Sequence, residues 1–417
     1  MKGLILLLAL GCTRANPEFL AWLADGGGLP DAGADATTCR ETGCESTALG
    51  VCDDGSGECR VCQLLAVPDE CGNRRDENKH CAGGECVECT VHADCGDSAQ
   101  PNCDSGTHRC FACVKDEECA ADLGACDEGR CLRTGEAVVV AGSGSGAENR
   151  LQDAIREIAQ GGTGKIVLRE DSIRPYPAIV VDADRTVRIF GTTRPEIRNS
   201  DGTVIEVIGN SSLFLRAAVV NGSVLGTSDG DGKPSISLFD VEIHGAKGAG
   251  VLCTTCAAVN LDRCHVHDNT NEGLKLGADS IRVRNSLITE NMRTGVVFET
   301  SIGAEFIYNT VAGNKNAGVD CKSNLLLSFN ILWGNTQRVS GHEVPAQSLE
   351  DCEPSHGINQ DDGDEDPLLT TTFHIPADSP ARSSDGGPTS AEFPNPYDID
   401  GDPRDSMPDI GADEYAP

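Results

Sequence analysis

Between residues 147 and 340 the apolar positions keep one spacing. Asn269, Asn291, Asn314 and Asn335 recur every 21 to 23 residues. Three residues before these sites, and before Ala246 one repeat earlier, stand Ile243, Val266, Ile288, Val311 and Leu332; eight before stand Leu238, Leu261, Val283, Phe306 and Leu327. Five after come Val251, Leu274, Val296 and Val319, and four after come Gly250, Gly273, Gly295 and Gly318. A fixed period with fixed apolar slots predicts a solenoid whose turns stack strand on strand about 4.8 Å apart. An Asn at a constant turn position can then hydrogen-bond along a ladder of its own kind. Upstream, Glu148 to Gln160 places Leu151, Ala154, Ile155 and Ile158 at helical spacing and ends in Gly161-Gly162, which predicts one amphipathic helix. Short strands follow at Ile166 to Leu168, Ile179 to Val181, Val187 to Ile189, Val204 to Val207 and Leu213 to Leu215, separated by Gly, Asn, Asp and Pro.

Before residue 132 the apolar pattern gives way to a cysteine pattern. Sixteen of the 22 cysteines fall into four groups of four: Cys39, Cys44, Cys52, Cys59; Cys62, Cys71, Cys81, Cys86; Cys89, Cys95, Cys103, Cys110; and Cys113, Cys119, Cys126, Cys131. Each junction is a C-x2-C pair, a spacing that also suits zinc. Four cysteines per group and the export-like N-terminus described below favour two disulfides per group, with connectivity left open. Apolar residues are sparse here, so covalent loops replace a core. The expected role is a protease-resistant stalk; the alternative is a module that binds a surface partner. Cys321 and Cys352 are expected to pin the closing segment to the coil, Cys253 and Cys256 to close a small loop, and Cys264 to be a buried free thiol.

Met1 to Gly11 carries an apolar run ending at Cys12, which suits export. The segment resembles a bacterial lipoprotein signal with Cys12 lipidated; cleavage after Ala15 would instead release a soluble protein. Residues 12–38 are small and acidic and read as a tether, 39–131 as the cysteine-rich region, and 132–146, with its alternating Gly and Ser, as a linker. Residues 147–340 then form the coil and 341–417 a closing segment. With 66 Asp plus Glu against 33 Lys plus Arg, a nucleic-acid partner is not expected. No apolar run is long enough to span a bilayer, so membrane contact is expected only through the lipid.

Leu151 to Ile155, Lys165 to Leu168, Tyr176, Ile179 to Val181 and Val187 to Gly191 resemble the start of the right-handed parallel β-helix of the pectate-lyase-like superfamily, with a helix capping its open end. Asp366-Pro367-Leu368, Phe373-His374-Ile375, Ser379-Pro380-Ala381, Asp400 to Arg404 and Asp409 to Tyr415 resemble the ending of bacterial β-helix proteins of the choice-of-anchor Q type. The cysteine groups resemble repeats of myxobacterial surface lipoproteins. These resemblances imply a mainly β fold, a right-handed parallel β-helix behind a disulfide-rich region, and life at the cell surface. The superfamily holds lyases, hydrolases, epimerases and adhesins, so fold does not settle function.

Candidate chemistry lies on the outward columns. Glu242 and His244 on one turn, and His265 and His267 on the next, have period-2 spacing and should face solvent together, able to bind a divalent metal or exchange protons. Asp268 stacks over Glu290 in the next column, a spacing near that of retaining glycosidase carboxylates. Lys275 and Asp320 share another column, with Arg263 on the same expected face, the residue types a lyase needs for a base beside calcium-binding carboxylates. The pectate lyase and polygalacturonase constellations are absent. Asp361 to Asp366, and Asp398, Asp400 and Asp402, offer oxygen ligands at spacings that fit Ca²⁺. The expected function is binding of an extended polysaccharide or other surface component, with a lyase or hydrolase as alternative and a structural spacer or adhesin as the second. The acidic balance favours a neutral or calcium-bridged glycan.

Overall fold

The computed structural model describes residues 124–141, 150–169, 175–301, 304–321, 325–341, 356–359, 366–382 and 397–415 except 403 and 405–407, together with short stretches before residue 124 that carry strands and several cysteines. Cys12, the tether, Cys39, Cys44, Cys62, Cys71, Cys352 and residues 361–365 lie outside the described residues. The chain divides into two compact units: one holds the first three cysteine groups, and the other holds the fourth group with everything after it.

All four cysteine groups repeat one local device. The third and fourth cysteines face each other across a two-stranded antiparallel ladder, as Cys52 opposite Cys59, Cys81 opposite Cys86, Cys103 opposite Cys110, and Cys126 opposite Cys131. In the last two groups the first cysteine bonds the third and the second bonds the fourth: Cys89–Cys103 and Cys95–Cys110, then Cys113–Cys126 and Cys119–Cys131. Each hairpin is thereby held from both strands, which replaces the burial that so few apolar residues cannot supply.

The second unit is a parallel β-helix. Its first face stacks Thr163–Arg169, Thr186–Gly191 and the segments beginning at Ser212, Ser235, Ala258, Ser280, Ala304 and Leu325. The second face stacks the segments around Ile197, Val220, Ile243, Val266, Ile288, Val311 and Leu332. The third face stacks Ile179–Val181 and the segments beginning at Ile205, Val224, Val251, Leu274, Val296 and Val319. Every aliphatic slot read from the repeat points inward: Leu238, Leu261, Val283, Phe306 and Leu327 are at most 1 % exposed, and Ile243, Val266, Ile288, Val311 and Leu332 are at 0 %. Aliphatic ladders of this kind need few aromatics.

The bends have backbone reasons. Between the first and second faces, Ala217, Asp240, Arg263, Asn285, Tyr308 and Phe329 all take φ between 46° and 58°. Between the second and third faces, Gly245, Asp268, Glu290, Gly313 and Gly334 take φ between 53° and 70°. After this second bend comes the asparagine ladder. Nδ2 of Asn269, Asn291 and Asn314 donates to Oδ1 of the next Asn along the coil at 2.9, 3.0 and 2.9 Å. The same Oδ1 atoms accept the backbone N–H of the preceding rung, and each Nδ2 also reaches a carbonyl one turn back. The backbone groups that a turn would leave orphaned are thus satisfied by side chains. The glycines four residues on are there for space: a Cβ on Gly273 would lie 2.7 Å from Asn291 Nδ2 and 2.7 Å from the Gly295 carbonyl. A second ladder at the first bend runs through Ser286, Asn309 and Asn330, with Asn309 Nδ2 3.1 Å from Asn330 Oδ1 and Ser286 N–H donating to Asn309 Oδ1. Cys264 opens it, buried with a free thiol, its N–H held by Ser286 Oγ.

The start of the coil and one face of its last turns are covered. The helix Arg150–Glu157, shorter than the span expected from its periodicity, buries Leu151, Ala154 and Ile155. Gln152 pairs with the backbone of Val180 through both its amide groups, at 3.0 and 2.7 Å, in the way a neighbouring strand would. Val138–Ala141, inside the stretch read as linker, is a strand that pairs with Ile166 to Arg169 and begins the first face. The fourth cysteine group packs on that face: Ala125 and Leu132 cluster with Val167 and Phe190, and buried Asp127 pairs with Lys165 and Arg188. The compact unit therefore starts earlier than composition suggests. At the other end, the closing segment lies against the second face of the last turns, where Ile331 clusters with Ile375 and Ala381, and Ala412 N–H reaches Thr310 Oγ1. The Cys253–Cys256 loop is closed by a disulfide, and Cys321 is buried.

Candidate functional site

The second face has two regimes. Its outward residues Val219, Asn221, Glu242, His244, His265 and His267 are partly exposed, whereas Leu287, Thr289, Thr310, Ala312 and Ile331 are buried. The closing segment makes part of that difference, since Arg404 reaches Asn285 and Gly411 sits over Thr310 and Ile331. The histidine patch is the last open pair of rungs before the covered ones.

The register puts Glu242 beside His265 and His244 beside His267. The three imidazoles stack, with ring centroids 4.1 Å apart for His265 and His267 and 5.4 Å for His244 and His267. His267 is held from both sides: Nε2 lies 3.4 Å from Glu242 Oε1 and Nδ1 2.9 Å from Asp268 Oδ2. His265 Nε2 lies 3.0 Å from the hydroxyl of buried Thr289. Arg194 adds a cation 3.9 Å from the other oxygen of Glu242.

These contacts split the proton affinities. The hydrogen bond from His267 lowers the Glu242 carboxyl to about 2, against the opposing effect of burial. Burial, reinforced by the neighbouring His267, lowers His265 to about 4. Burial also works against charging His267, but its hydrogen bonds to Glu242 and Asp268, and their charges, outweigh it and raise the group. The contacts favour an imidazolium at His267, between two carboxylates, stacked on a His265 ring that burial keeps neutral. Such a pair can donate and accept protons or hydroxyl hydrogen bonds. Because Glu242 and Asp268 address opposite nitrogens of one ring, these two carboxylates and His267 do not converge on a single ion.

The other candidates do not assemble. Asp268 and Glu290 occupy the left-handed bend that Gly245, Gly313 and Gly334 fill on other turns, so position explains them as backbone residues, and Asp268 adds its contact to His267. Arg263 is buried at the other bend, bidentate to Asp240 at 2.7 and 2.8 Å and stacked on Phe239, which removes it as a base. Lys275 and Asp320 do share a column on the third face, but Val297 stands between them and Lys275 pairs with Glu299 at 3.2 Å. Asp398, expected as a calcium ligand with Asp400 and Asp402, is 1 % exposed and has both oxygens on backbone N–H groups, those of Asp400, Asp402 and Glu414. It shapes a turn, and the alternating aspartates read from sequence do not point to one centre. Asp400 instead meets His374, with Asp413 close by. Sequence reasoning missed that group, because its members are brought together only by how the closing segment folds on itself; Thr289 and Arg194 escaped notice for a similar reason, each lying a turn or more from the residue it contacts.

No curated protein matches the chain. Residues 178–338 match the sequence model of a family described as "Right handed beta helix region", which agrees with the strand pairing and makes this part of the chain a right-handed parallel β-helix.

Proposed function

We propose that the protein is an exported cell-surface protein, anchored through Cys12, whose β-helix binds an extended polysaccharide along its second face. The observation that carries this reading is the boundary on that face: an open run of partly exposed polar rungs ends at the stacked histidines, against turns covered by the closing segment. A parallel β-helix is consistent with binding or acting on polysaccharide-like substrates, and the patch offers what sugar hydroxyls need, flat imidazole faces with an ionised carboxylate and a cation beside them. The disulfides support an oxidising compartment. A formal charge of −33 favours a neutral glycan over a polyuronate.

The test is retention of the full oxidised chain across a panel of immobilised glycans. Binding to one class that is lost when Glu242, His244, His265 and His267 are changed together to Ala supports the reading; binding that ignores the change overturns the patch. A second reading, polysaccharide cleavage, is favoured by the opposite proton affinities of stacked His265 and His267, the arrangement in which acid and base roles are divided. New reducing ends, or unsaturated uronate absorbance, would establish it. Silence on a glycan that binds would leave binding alone.

A further inference from the structure

Among the described residues outside the cysteine groups, one set of side chains brings three ligand atoms together. The ligand atoms of His374, Asp400 and Asp413 all lie within 4.8 Å of one another, and His374 Nε2 is 3.1 Å from Asp400 Oδ2. Ligands about 2.1 Å from one tetrahedral zinc-sized ion lie about 3.4 Å from one another, so closure needs side-chain shifts of up to about an ångström. We propose that His374, Asp400 and Asp413 form a binding site for a first-row divalent transition metal of the zinc class, which clips together three separated stretches of the closing segment.

Three further observations support a ligand here. The far nitrogen of His374, Nδ1, lies 3.0 Å from Thr372 Oγ1, which holds the ring and directs Nε2 at the carboxylates, the outer contact that metal-bound imidazoles commonly make. Asp413 is only 5 % exposed, yet among the described residues its carboxylate takes one hydrogen bond, from Ile375 N–H, and pairs with no Lys or Arg. Asp400 is carried on a loop that Asp398 has already fixed by accepting the N–H groups of Asp400 and Asp402 and, on its other oxygen, that of Glu414, next to Asp413. Asp398 is thus a positioning residue for two ligands at once. One imidazole and two carboxylates suit zinc, manganese or cobalt; calcium requires six to eight oxygens and gains little from imidazole. A metal takes imidazole in its neutral form and carboxylates ionised, so binding at such a site releases whatever protons the ligands hold.

The experiment uses the full chain, stripped with chelator and kept oxidised so that the disulfides stay closed, titrated calorimetrically with ZnCl2, MnCl2 and CaCl2 in buffers of different ionisation enthalpy. The expected result is saturable binding of one zinc ion with proton release, a rise in the thermal midpoint, and slower proteolysis within residues 366–415, with little response to calcium. His374→Gln and Asp413→Asn should each weaken zinc at least about tenfold, and Thr372→Ala, which removes no ligand, by about tenfold. The proposal is overturned if zinc gives no saturable binding, if calcium binds better than zinc and ignores His374→Gln, or if the His374→Gln/Asp413→Asn double variant binds zinc as the parent does, which would place the ion elsewhere. Should Asp413→Asn fail to fold, His374→Gln and Thr372→Ala decide, since both residues are partly exposed and neither fills the core.

Discussion

Nε2 of His267 lies 3.4 Å from Oε1 of Glu242, one turn away along the coil, while its Nδ1 meets Asp268 on its own turn. A single imidazole therefore ties adjacent rungs of the open face. The stacking period of the helix makes such ties possible, because the residue a full turn along the chain lies about 4.8 Å away, nearer than the one two positions along the same strand, at about 6.6 Å. His265, 4.1 Å away ring to ring, has its Nε2 on the Thr289 hydroxyl instead of a carboxylate and takes the opposite protonation preference.

That asymmetry predicts a pH profile. His267 is raised above its ordinary 6.5, so its contribution to stability is full below that value and is lost as pH rises through the raised one. Glu242 is lowered from 4.5 to about 2, so its contribution is full above 4.5 and is lost as pH falls toward 2. His265, lowered from 6.5 to about 4, adds a further loss as pH falls between those values. The patch should thus be firmest around pH 6 to 7, and in NMR titrations the His265 ring should change state near 4 and the His267 ring above 6.5. His267→Gln should remove the loss on the alkaline side. Titration of both rings together near 6.5 would show that the contacts do not set their charge.

The asparagine ladder predicts a steep local cost. Asn291 is 0 % exposed, donates to Asn314 and the Val266 carbonyl, and accepts from the Asn269 amide and backbone N–H. Asn291→Ala strands partners on both neighbouring turns and should cost about 2–4 kcal/mol, at roughly 1–3 kcal/mol for each buried group left unpaired. Asn291→Asp should be no milder, since it brings a carboxylate oxygen against the Asn314 Oδ1 acceptor. Urea unfolding gives both values, and a loss below about 1 kcal/mol would mean that water enters and repairs the ladder.

Gly273→Ala should cost about as much, for a different reason. Its φ is ordinary, so no backbone strain is involved; the added methyl would press on Asn291 Nδ2 and the Gly295 carbonyl, both at 2.7 Å, and on Ile288 at 2.8 Å. Overpacking of this kind costs about 1–3 kcal/mol. Gly230, with nothing within 4 Å of a Cβ but a φ of 60°, separates the two effects: Gly230→Asn should be nearly neutral, because Asn tolerates the left-handed region. Thermal midpoints of the two variants should therefore diverge.

How much of this was legible depended on whether a residue's partner lies one repeat away. Asn269, Asn291, Asn314 and Asn335, the inward aliphatics and the four-residue histidine patch repeat at the period of the coil, so sequence spacing alone aligns them. Arg263 and Glu290 repeat too, but their columns are left-handed bends, and φ cannot be read from side-chain chemistry when Ala, Asp, Arg, Tyr and Phe all occupy one such column. The second ladder was hidden because its members differ: Cys264, Ser286, Asn309 and Asn330 do one job with three side chains. His374, Asp400 and Asp413 have no period at all. Their meeting follows from a closing segment whose path is set by turns, and residue spacing there carries no distance information.

Cys264 offers a check on burial independent of stability. Burial pushes its thiol up to about 12, with Asp240 and Asp262 adding to the effect, so almost no thiolate exists at neutral pH. Site-resolved mass spectrometry should find Cys264 unmodified by iodoacetamide in the native protein and fully modified in denaturant. Modification under native conditions would mean that the first bend opens locally.

The docking of the fourth cysteine group can be tested through Asp127. Its carboxylate is 4 % exposed and receives Lys165 at 2.8 Å as well as Arg188, whose guanidinium also lies over Phe214. Removing it leaves two cations on the first face without their shared partner. The cost of breaking a buried pair is about 3–5 kcal/mol, and because Lys165 and Arg188 retain some access to water, Asp127→Ala should fall at or below the lower end of that range. The form of the transition is the sharper readout. Cys113–Cys126 and Cys119–Cys131 hold the hairpin locally whatever happens at its surface, so the variant should keep a folded fourth group that exchanges its amide hydrogens faster than the parent, while Ala125 and Leu132 lose their contact with Val167 and Phe190. Hydrogen exchange resolved at residues 124–141 and 163–169 measures this directly. Faster exchange at Val138–Ala141 as well would show that the first strand of the coil depends on the cysteine group for its place; unchanged exchange at both would mean that apolar packing alone seats the group, and that the ion pairs set only its orientation.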